Sequence, residues 1–259
     1  MRIVIKIGTS TLTHRSGLLN IRRVEHLCKV FSDLKNAGHE LVIVSSGAIG
    51  VGVGKLSLKE KPADIPTKQA AAAVGQCELM YIYDKLFAEY NHTVAQILIT
   101  GEDIESPKRA KNFHNTIFRL LELGALPIIN ENDTIAVDEI VIGDNDTLGA
   151  IVASTIGADL LILLSDIDGL FTADPQRDPS AKLIPVVEAI TPEMEAAAQG
   201  AGSALGTGGM QTKLAAARIA TGAGVEMVIA NGTRPDALYD IVEGKPCGTR
   251  FLSKGEKKA

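Results

Sequence analysis

The sequence has few aromatic residues and no tryptophan. Aromatic residues make up 4% of the 259 positions, whereas 46% are hydrophobic. A core without many large rings must be filled by Ala, Val, Ile and Leu, as in a sheet covered by helices. A chain of this length can bury a substantial core, either as one large α/β domain or as two small ones.

Cysteine is also scarce, with Cys28, Cys77 and Cys247 as the only three residues and no C-x-x-C motif. Such a set builds neither a disulfide framework nor a zinc site, so we expect reduced, mostly structural cysteines in a cytoplasmic protein. The histidines likewise lack metal-ligand spacing, and no metal-binding residue is predicted. They are His14, His26, His39, His92 and His114.

An excess of positive charge and long apolar runs are absent as well. The formal net charge is -5, which argues against a dedicated nucleic-acid binder. No apolar run is long enough to cross a membrane, and the first residues, M-R-I-V-I-K-I-G, are typical of a strand rather than a signal peptide. We therefore expect no nucleic-acid partner, no membrane association and a cytoplasmic location.

What the sequence does contain is an alternation of β-branched runs and helical periodicity, which predicts an α/β fold with a mainly parallel sheet. One domain over residues 1–252 is the economical interpretation, followed by a charged, disordered tail at 253–259. The predicted strands are 2–7, 40–45, 94–99, 126–129, 160–164 and 225–230, with an edge strand at 249–252. The predicted helices are 21–37, 67–89, 108–123, 147–156, one beginning near 191, 210–220 and 235–242.

The stretch Asn130 to Gly149 is dense in acidic residues. It follows a predicted strand, so Asn130 to Asp133 should lie at the carboxyl end, where open α/β sheets bind ligands. Residues 135–142 have the alternation of a hairpin arm, and Asp146 is a candidate N-cap for the next helix. A flap would thus bring the N-E-N-D and G-D-N-D clusters together, the alternative being a solvated acidic loop.

Two lysines lie in glycine-rich turns. Lys6 precedes Gly8 on a strand that, if central, would bury it, so it should meet an anion and is a candidate phosphate ligand. The alternative is an edge-strand lysine in solvent. Lys213 ends the segment 206–213, which combines glycines, hydroxyls and a helix N-terminus without being a Walker A motif. A mobile surface loop is the alternative there.

The glycines at 50, 52 and 54 do not have the spacing of a dinucleotide fingerprint, so a nicotinamide site is not favoured. Two ammonium groups with an aspartate between them would align and neutralise a transferring phosphoryl group. The sequence therefore favours kinase chemistry over hydrolysis.

Five motifs in order resemble the amino acid kinase family, and within it the glutamate 5-kinase (γ-glutamyl kinase) branch. They are K-I-G-T-S at 6–10, S-S-G-A at 45–48, I-N-E-N-D at 129–133, G-D-N-D at 143–146 and G-T-G-G-M-x-T-K at 206–213. The resemblance implies a three-layer αβα sandwich and ATP-dependent phosphorylation of the γ-carboxylate of L-glutamate, the first step of proline biosynthesis. It also implies the short form of the family, which has no PUA domain.

The resemblance further assigns roles to residues. Lys6, Lys213 and Asp146 would be catalytic, with Asp146 orienting both lysines. Substrate binding would fall to Ser46, Gly47, Asp133 and Asn145. ATP, as its Mg²⁺ complex, would be held by Lys6, Ser165, Asp166, Thr207, Gly208, Gly209, Met210, Gln211, Thr212 and Lys213. Expected partners are the two substrates, proline as a feedback inhibitor, further copies of the chain in a homo-oligomer, and glutamate-5-phosphate reductase as recipient of the product.

Two alternatives stay open at this point. One is a related kinase acting on N-acetylglutamate, aspartate, carbamate or UMP, although the acidic clusters favour an acceptor with a free amino group. The other is a non-catalytic amino-acid sensor, which would not need both lysines.

Overall fold

The computed structural model describes residues 1–14, 16–60, 62–135, 145–175, 177–198 and 209–253. Strands and helices alternate along most of the chain. They are β1 (Arg2–Ile7), α1 (Thr9–Leu12), α2 (Ile21–Asn36), β2 (Glu40–Ser45), α3 (Ala48–Lys55), α4 (Ile65–Ala88), β3 (Val94–Ile99), α5 (Gly101–Glu105), α6 (Pro107–Glu122), β4 (Leu126–Glu131), α7 (Asn145–Thr155), β5 (Leu160–Ser165), β6 (Val186–Val187), α8 (Pro192–Ala198), α9 (Met210–Gly222), β7 (Glu226–Asn231), α10 (Ala237–Val242) and β8 (Thr249–Phe251).

The strands form one eight-stranded sheet in the order β3-β4-β2-β1-β5-β7-β8-β6. β1 lies inside it, parallel to β2 on one side and to β5 on the other. β8 runs antiparallel to β7 and parallel to β6. The carboxyl ends of β1, β2, β4, β5 and β7 therefore meet at one edge, where their turns can share a ligand.

Both faces of the sheet are covered. Successive side chains of a strand point to opposite faces, so Val4 of β1 belongs to one hydrophobic cluster and Ile3 and Ile5 belong to the other. The first cluster includes residues of α6, α7 and α9, and the second includes residues of α2, α3, α4 and α10. The predicted three-layer αβα sandwich is confirmed.

Several predicted elements occur at the expected places. The strands β1, β2 and β3 have the bounds that the sequence indicated, and α2 ends at Asn36, one residue earlier than predicted. Gly38, with φ of +91°, follows α2 in the left-handed region that favours glycine. The buried Cys28 lies on the apolar face of that helix, as expected.

Three expectations are wrong. The glycine-rich residues 46–50 after the second predicted strand predict a turn, but the helix α3 begins at Ala48, and its Gly52 packs against the backbone of Ala71 in α4. The strand β8 is not at the sheet edge, since the two-residue β6 lies beyond it. Asp146 is not an N-cap, because α7 begins at Asn145 and Asp146 lies in its first turn.

Other predictions fall outside the described residues. These are most of the flap at 135–142, the glycine-rich segment at 200–208 and the tail from residue 254 onward. Within the described ranges, none of the helices combines the length and apolar character needed to cross a membrane.

Candidate active site

Lys6 occupies a central position in the sheet. Its neighbours in register are Val44 on β2 and Leu163 on β5, and the residue is 8% exposed. Gly149 of α7 leaves room for the aliphatic part of the lysine, because a Cβ atom at Gly149 would lie 3.3 Å from Lys6 Cβ. The alternative of an edge-strand lysine in solvent is thus wrong.

Lys6 is part of a buried charged cluster with Asp146 and Lys213. Lys6 Nζ donates to Asp146 Oδ1 over 2.6 Å, and Lys213 Nζ donates to Asp146 Oδ2 over 3.1 Å. Asp146 is fully buried and Lys213 is 4% exposed. Thr212 Oγ1 also donates to Asp146 Oδ2, over 3.0 Å. With all three groups ionised, the charged cluster keeps a net positive charge that suits an anionic ligand.

The charge of Asp146 is maintained by its partners. Burial acts to raise the pKa of this carboxyl, but the ammonium groups of Lys6 and Lys213 outweigh it and hold the pKa below its usual value. Asp146 therefore stays a carboxylate at neutral pH and can orient both lysines.

The turns around the charged cluster are tied together by backbone hydrogen bonds. Gly8 N donates to Leu164 O over 3.1 Å, which joins the turn after β1 to the end of β5. Ser46 N donates to Ile7 O, also over 3.1 Å, which joins the end of β2 to that of β1. The small residues in these turns leave backbone N–H groups within reach of a ligand.

The start of α9 brings the predicted nucleotide segment to the same place. Gly209 is its N-cap, and among the described residues no side-chain hydrogen bond caps the helix, so its first N–H groups can bind an anion. Met210, Gln211, Thr212 and Lys213 form the first turn. Thr207 and Gly208 lie outside the described residues.

Ser165 and Asp166 follow at the end of β5. Ser165 Oγ donates to Asp166 Oδ1 over 3.1 Å, and Ser165 O accepts from Gly232 N over 2.8 Å. In the described part of the chain neither residue is bonded to the charged cluster, although Leu164 touches the Gly8 turn. They line the same sheet edge on the β7 side.

On the β2 side, Asn145 links Ser46 to the interior. Asn145 Nδ2 lies 2.9 Å from Ser46 Oγ, 2.8 Å from Ser45 O and 2.9 Å from Asn130 Oδ1. Asn130 Nδ2 in turn donates to Gln76 Oε1 of α4 over 2.9 Å. We call Gln76, Asn130 and Asn145 the amide relay. Gly47 completes this side with φ of +94°, which favours glycine.

Sequence reasoning missed Gln76, whereas the contact of Asn130 with Asn145 agrees with the expectation that the N-E-N-D and G-D-N-D clusters meet. A weak sign of Gln76 exists in the sequence, since it is a polar residue among positions of α4 that are otherwise apolar and buried, such as Ala72 and Leu79. A polar side chain on such a face is expected to have a buried partner.

Asp133 lies in the turn after β4, close to the amide relay in sequence. Burial raises the pKa of its carboxyl from 3.8 to about 6. Among the described residues no hydrogen bond or ion pair joins Asp133 to Asn145 or to the charged cluster. A cation placed beside it would restore the carboxylate form.

The described residues contain no group of three or more His, Cys, Asp or Glu side chains able to hold a metal ion. The arrangement is instead two buried ammonium groups, the N-terminus of α9 and a group of polar side chains at one sheet edge. This combination suits the alignment of a polyphosphate with a small polar acceptor.

Comparison with protein families agrees with this chemistry. The model of the amino acid kinase family matches residues 1–231. Glutamate 5-kinase of Clostridium perfringens is 54% identical over 257 residues, covering 98% of this chain and 96% of the relative. That of Clostridium acetobutylicum is 56% identical with the same coverages. That of Moorella thermoacetica is 52% identical, with 98% of this chain and 67% of the relative covered.

Solved structures show the same fold at low sequence identity. The isopentenyl phosphate kinase of T. acidophilum superposes with a TM-score of 0.65 at 16% identity, covering 97% of this chain and 100% of that one. The UMP kinase of Bacillus anthracis has a TM-score of 0.63, also at 16% identity, with 98% and 96% covered.

Proposed function

This chain belongs to the amino acid kinase family, and we propose that it transfers the γ-phosphoryl group of ATP to the side-chain carboxylate of L-glutamate. The product is L-glutamyl 5-phosphate, and the reaction is the first step towards proline. The structural observation that carries the proposal is the charged cluster of Lys6, Asp146 and Lys213. The choice of acceptor is supported by the names of relatives that are more than half identical over almost the whole chain.

The acceptor carboxylate needs no general base. A glutamate side chain has a pKa of about 4.3 and is already ionised at neutral pH. One of its oxygens attacks the γ-phosphorus, the bond from that phosphorus to the β–γ bridging oxygen breaks, and ADP leaves with the electron pair. No proton is transferred, so the protein has to align two anions and reduce their repulsion.

Lys6 and Lys213 meet that requirement in our proposal. Their ammonium groups approach Asp146 from β1 and α9, and both are buried where electrostatic interactions are stronger than in water. Asp146 fixes their separation before substrates bind. This preorganisation avoids the cost of arranging charges during the reaction.

ATP is assigned to the β5 and α9 side of the sheet edge. The N-terminus of α9 and the Gly8 turn offer N–H groups for its phosphates, and Ser165 and Asp166 line the adjoining strand end. Since Mg²⁺ usually binds through phosphates and one or two carboxylates, we propose that it enters as Mg-ATP.

Glutamate is assigned to the β2 and β4 side. Ser46 supplies a hydroxyl and Asn145 supplies an amide, while Gly47 lets the backbone approach the ligand closely. The carboxyl group of Asp133 suits the α-ammonium group of glutamate. The distance between the two sides is set by neighbouring strands of one sheet, which favours a fixed geometry for transfer.

The proposal also includes the protein's partners and location. We propose a homo-oligomer in the cytoplasm that is inhibited by proline and passes the acyl phosphate to a reductase.

The proposal is tested by incubating the purified chain with Mg-ATP, hydroxylamine and one acceptor at a time. We expect acyl hydroxamate and ADP with L-glutamate, and neither with L-aspartate, N-acetylglutamate or UMP. Products with another acceptor would contradict the assignment of L-glutamate as the substrate. If no ADP forms with any acceptor, the alternative of a non-catalytic amino-acid sensor is favoured.

A pair of variants tests the role of Lys213 in the charged cluster. Lys213→Ala should lower turnover by about 10²–10³-fold, the range for losing one preorganised charge-stabilising group, while glutamate binding survives. Lys245→Ala is the matched control, because this exposed lysine pairs only with Asp240 and Glu243 among the described residues. Equal turnover in the two variants would contradict the role of Lys213.

A further inference from the structure

The amide relay connects the substrate side of the site to the helix α4. Gln76 lies in α4, 8% exposed, and Asn130 lies at the end of β4, 2% exposed. Their side chains meet through a hydrogen bond of 2.9 Å from Asn130 Nδ2 to Gln76 Oε1. A buried amide group left without its partner is costly, so each residue constrains the other.

The relay has a defined polarity. Asn130 Oδ1 accepts from Glu131 N over 2.9 Å, which fixes its amide with Nδ2 turned towards Gln76. Asn130 Oδ1 and Ser45 O can only accept hydrogen bonds, so the Asn145 atom that faces both must be Nδ2. A flipped Asn145 would place its oxygen against two other oxygens.

This polarity determines which hydrogen-bonding groups Asn145 and Ser46 offer a ligand. Asn145 Nδ2 faces the protein and is used by the bonds to Ser45, Ser46 and Asn130. Asn145 Oδ1 accepts no hydrogen bond from the described residues and is therefore left as an acceptor for a ligand. Ser46 Oγ accepts from Asn145 Nδ2 over 2.9 Å, so its own proton is free to be donated. A donor next to an acceptor matches an α-amino acid zwitterion, whose carboxylate accepts and whose ammonium group donates.

Resting on the proposed function, we propose that Gln76 is a positioning residue that sets the specificity for the amino-acid acceptor. It acts through Asn130 and Asn145 without touching the substrate. Its contribution should therefore appear in the KM for glutamate and in discrimination against acids that lack an amino group. The KM for Mg-ATP and the turnover number depend on the charged cluster and should change little.

Gln76→Met tests this role, because methionine has the same length and unbranched shape but cannot accept the hydrogen bond. Removing one buried hydrogen bond should raise the KM for glutamate about tenfold, with kcat and the KM for Mg-ATP within about threefold of wild type. The ratio of kcat/KM for glutamate to that for glutarate should fall by a similar factor. Gln76→Glu keeps an oxygen that can accept from Asn130 and should restore much of the loss.

Tyr83→Phe is the matched control. Tyr83 lies on the same buried face of α4, and its hydroxyl is 3.0 Å from Ser45 Oγ, outside the amide relay. This variant loses a comparable hydrogen bond and should melt earlier without a selective change in the KM for glutamate. If Gln76→Met does not fold, Asn130→Ser breaks the same link from β4 and must give the same KM signature.

The outcomes separate this inference from the proposed function. No acyl hydroxamate from wild-type protein and glutamate would overturn the function itself. Normal wild-type turnover with an unchanged KM and glutarate ratio in folded Gln76→Met would overturn only the role of Gln76. Equal changes in Gln76→Met and Tyr83→Phe would overturn it too, since they would reflect loss of stability alone.

Discussion

Among single residues, Asp133 carries the expected pH dependence of substrate binding. Burial raises the pKa of its carboxyl to about 6. If it pairs with the ammonium group of glutamate, the carboxylate form binds and the protonated form does not. Affinity should therefore increase as the pH rises through 6 and level off above it.

The measurement is the KM for glutamate between pH 5 and 8. A pKa of about 6 in the free protein predicts a KM about tenfold higher at pH 5 than at pH 7. The reason is that about nine-tenths of the Asp133 carboxyl groups are protonated at pH 5, whereas most are ionised at pH 7. Asp133→Asn is the control, and its KM should be uniformly raised and nearly independent of pH. The same pH dependence in that variant would assign the titration to another group, such as the nucleotide.

Stability should respond to Asp133 in the opposite sense. Its pKa is higher in the folded protein than the usual 3.8, so the folded state binds more protons between about pH 4 and 6. This group therefore favours folding at low pH and loses that contribution as the pH rises through 6. Asp146 has a lowered pKa, so its contribution is lost only as the pH falls through that lowered value.

The residues of the charged cluster and the two asparagines of the amide relay were accessible to sequence reasoning, whereas Gln76 was not. A lysine in a buried strand and a lysine after a glycine-rich segment require an anionic partner, which pointed to Lys6 and Lys213, whereas Asp146 was assigned between them by the family resemblance. Gln76 has no such signature, because glutamine is common in helices and its partner Asn130 is 54 residues away. Only the packing of α4 shows that the two side chains meet.

Among the elements, the pair α3 and α4 sets the position of the relay. A Cβ atom on Gly75 of α4 would overlap the carbonyl oxygen of Ala48, and one on Gly52 of α3 would overlap that of Ala71. The two backbones are in direct contact, and Gln76 follows Gly75 immediately. The close approach of the helices thus places Gln76 next to Asn130.

Gly75→Ala should therefore separate the two helices. We expect a loss of stability of about 1–3 kcal/mol from overpacking and a higher KM for glutamate, because Gln76 moves with its helix. Gly222→Ala is the matched control, since it is also helical but has open space around its Cβ position. It should be neutral or stabilising by up to about 1 kcal/mol.

Denaturant unfolding and steady-state kinetics on the two variants decide the matter. If the Gly75→Ala protein is as stable as the Gly222→Ala protein, the two helices α3 and α4 can move apart without lowering the free energy of unfolding. The glycines at 47 and 50 also explain why the sequence predicts a turn at 46–50, where α3 begins. Glycine is a poor helix former, and its use for contact between helices is visible only when the partner helix is in place.

At the scale of the whole molecule, one sheet joins the two halves of the chain. β1 pairs with β2 from the first half and with β5 from the second, and each face has a continuous hydrophobic cluster. We therefore expect a single cooperative unfolding transition, in keeping with the predicted single domain. Average enthalpies per residue give about 180 kcal/mol near 60 °C for 259 residues.

Calorimetry tests this expectation through the ratio of calorimetric to van't Hoff enthalpy, which should be close to one. Mg-ATP at about a hundred times its Kd should move the entire transition upwards by about 5–10 °C. Two transitions, of which only one responds to nucleotide, would show that the halves unfold separately.

The sequence predicted a mainly parallel sheet but not the order of all its strands. Periodicity identifies β-branched runs such as Val94–Ile99, while strand order depends on which long-range pairings bury the most surface. The antiparallel return of β8 and the two-residue β6 leave almost no pattern in the sequence. The last strand was consequently placed at the edge of the sheet instead of inside it.

The separation along the chain of the groups in the charged cluster has a consequence during synthesis on the ribosome. Lys6 is made near the start, while its partner Asp146 follows 140 residues later and Lys213 a further 67 residues on. At about 5–20 residues per second, Lys6 waits about 7–28 s for its counter-ion. A nascent chain thus has no complete phosphoryl-transfer site until most of it has been translated, so the protein can become active only late in synthesis.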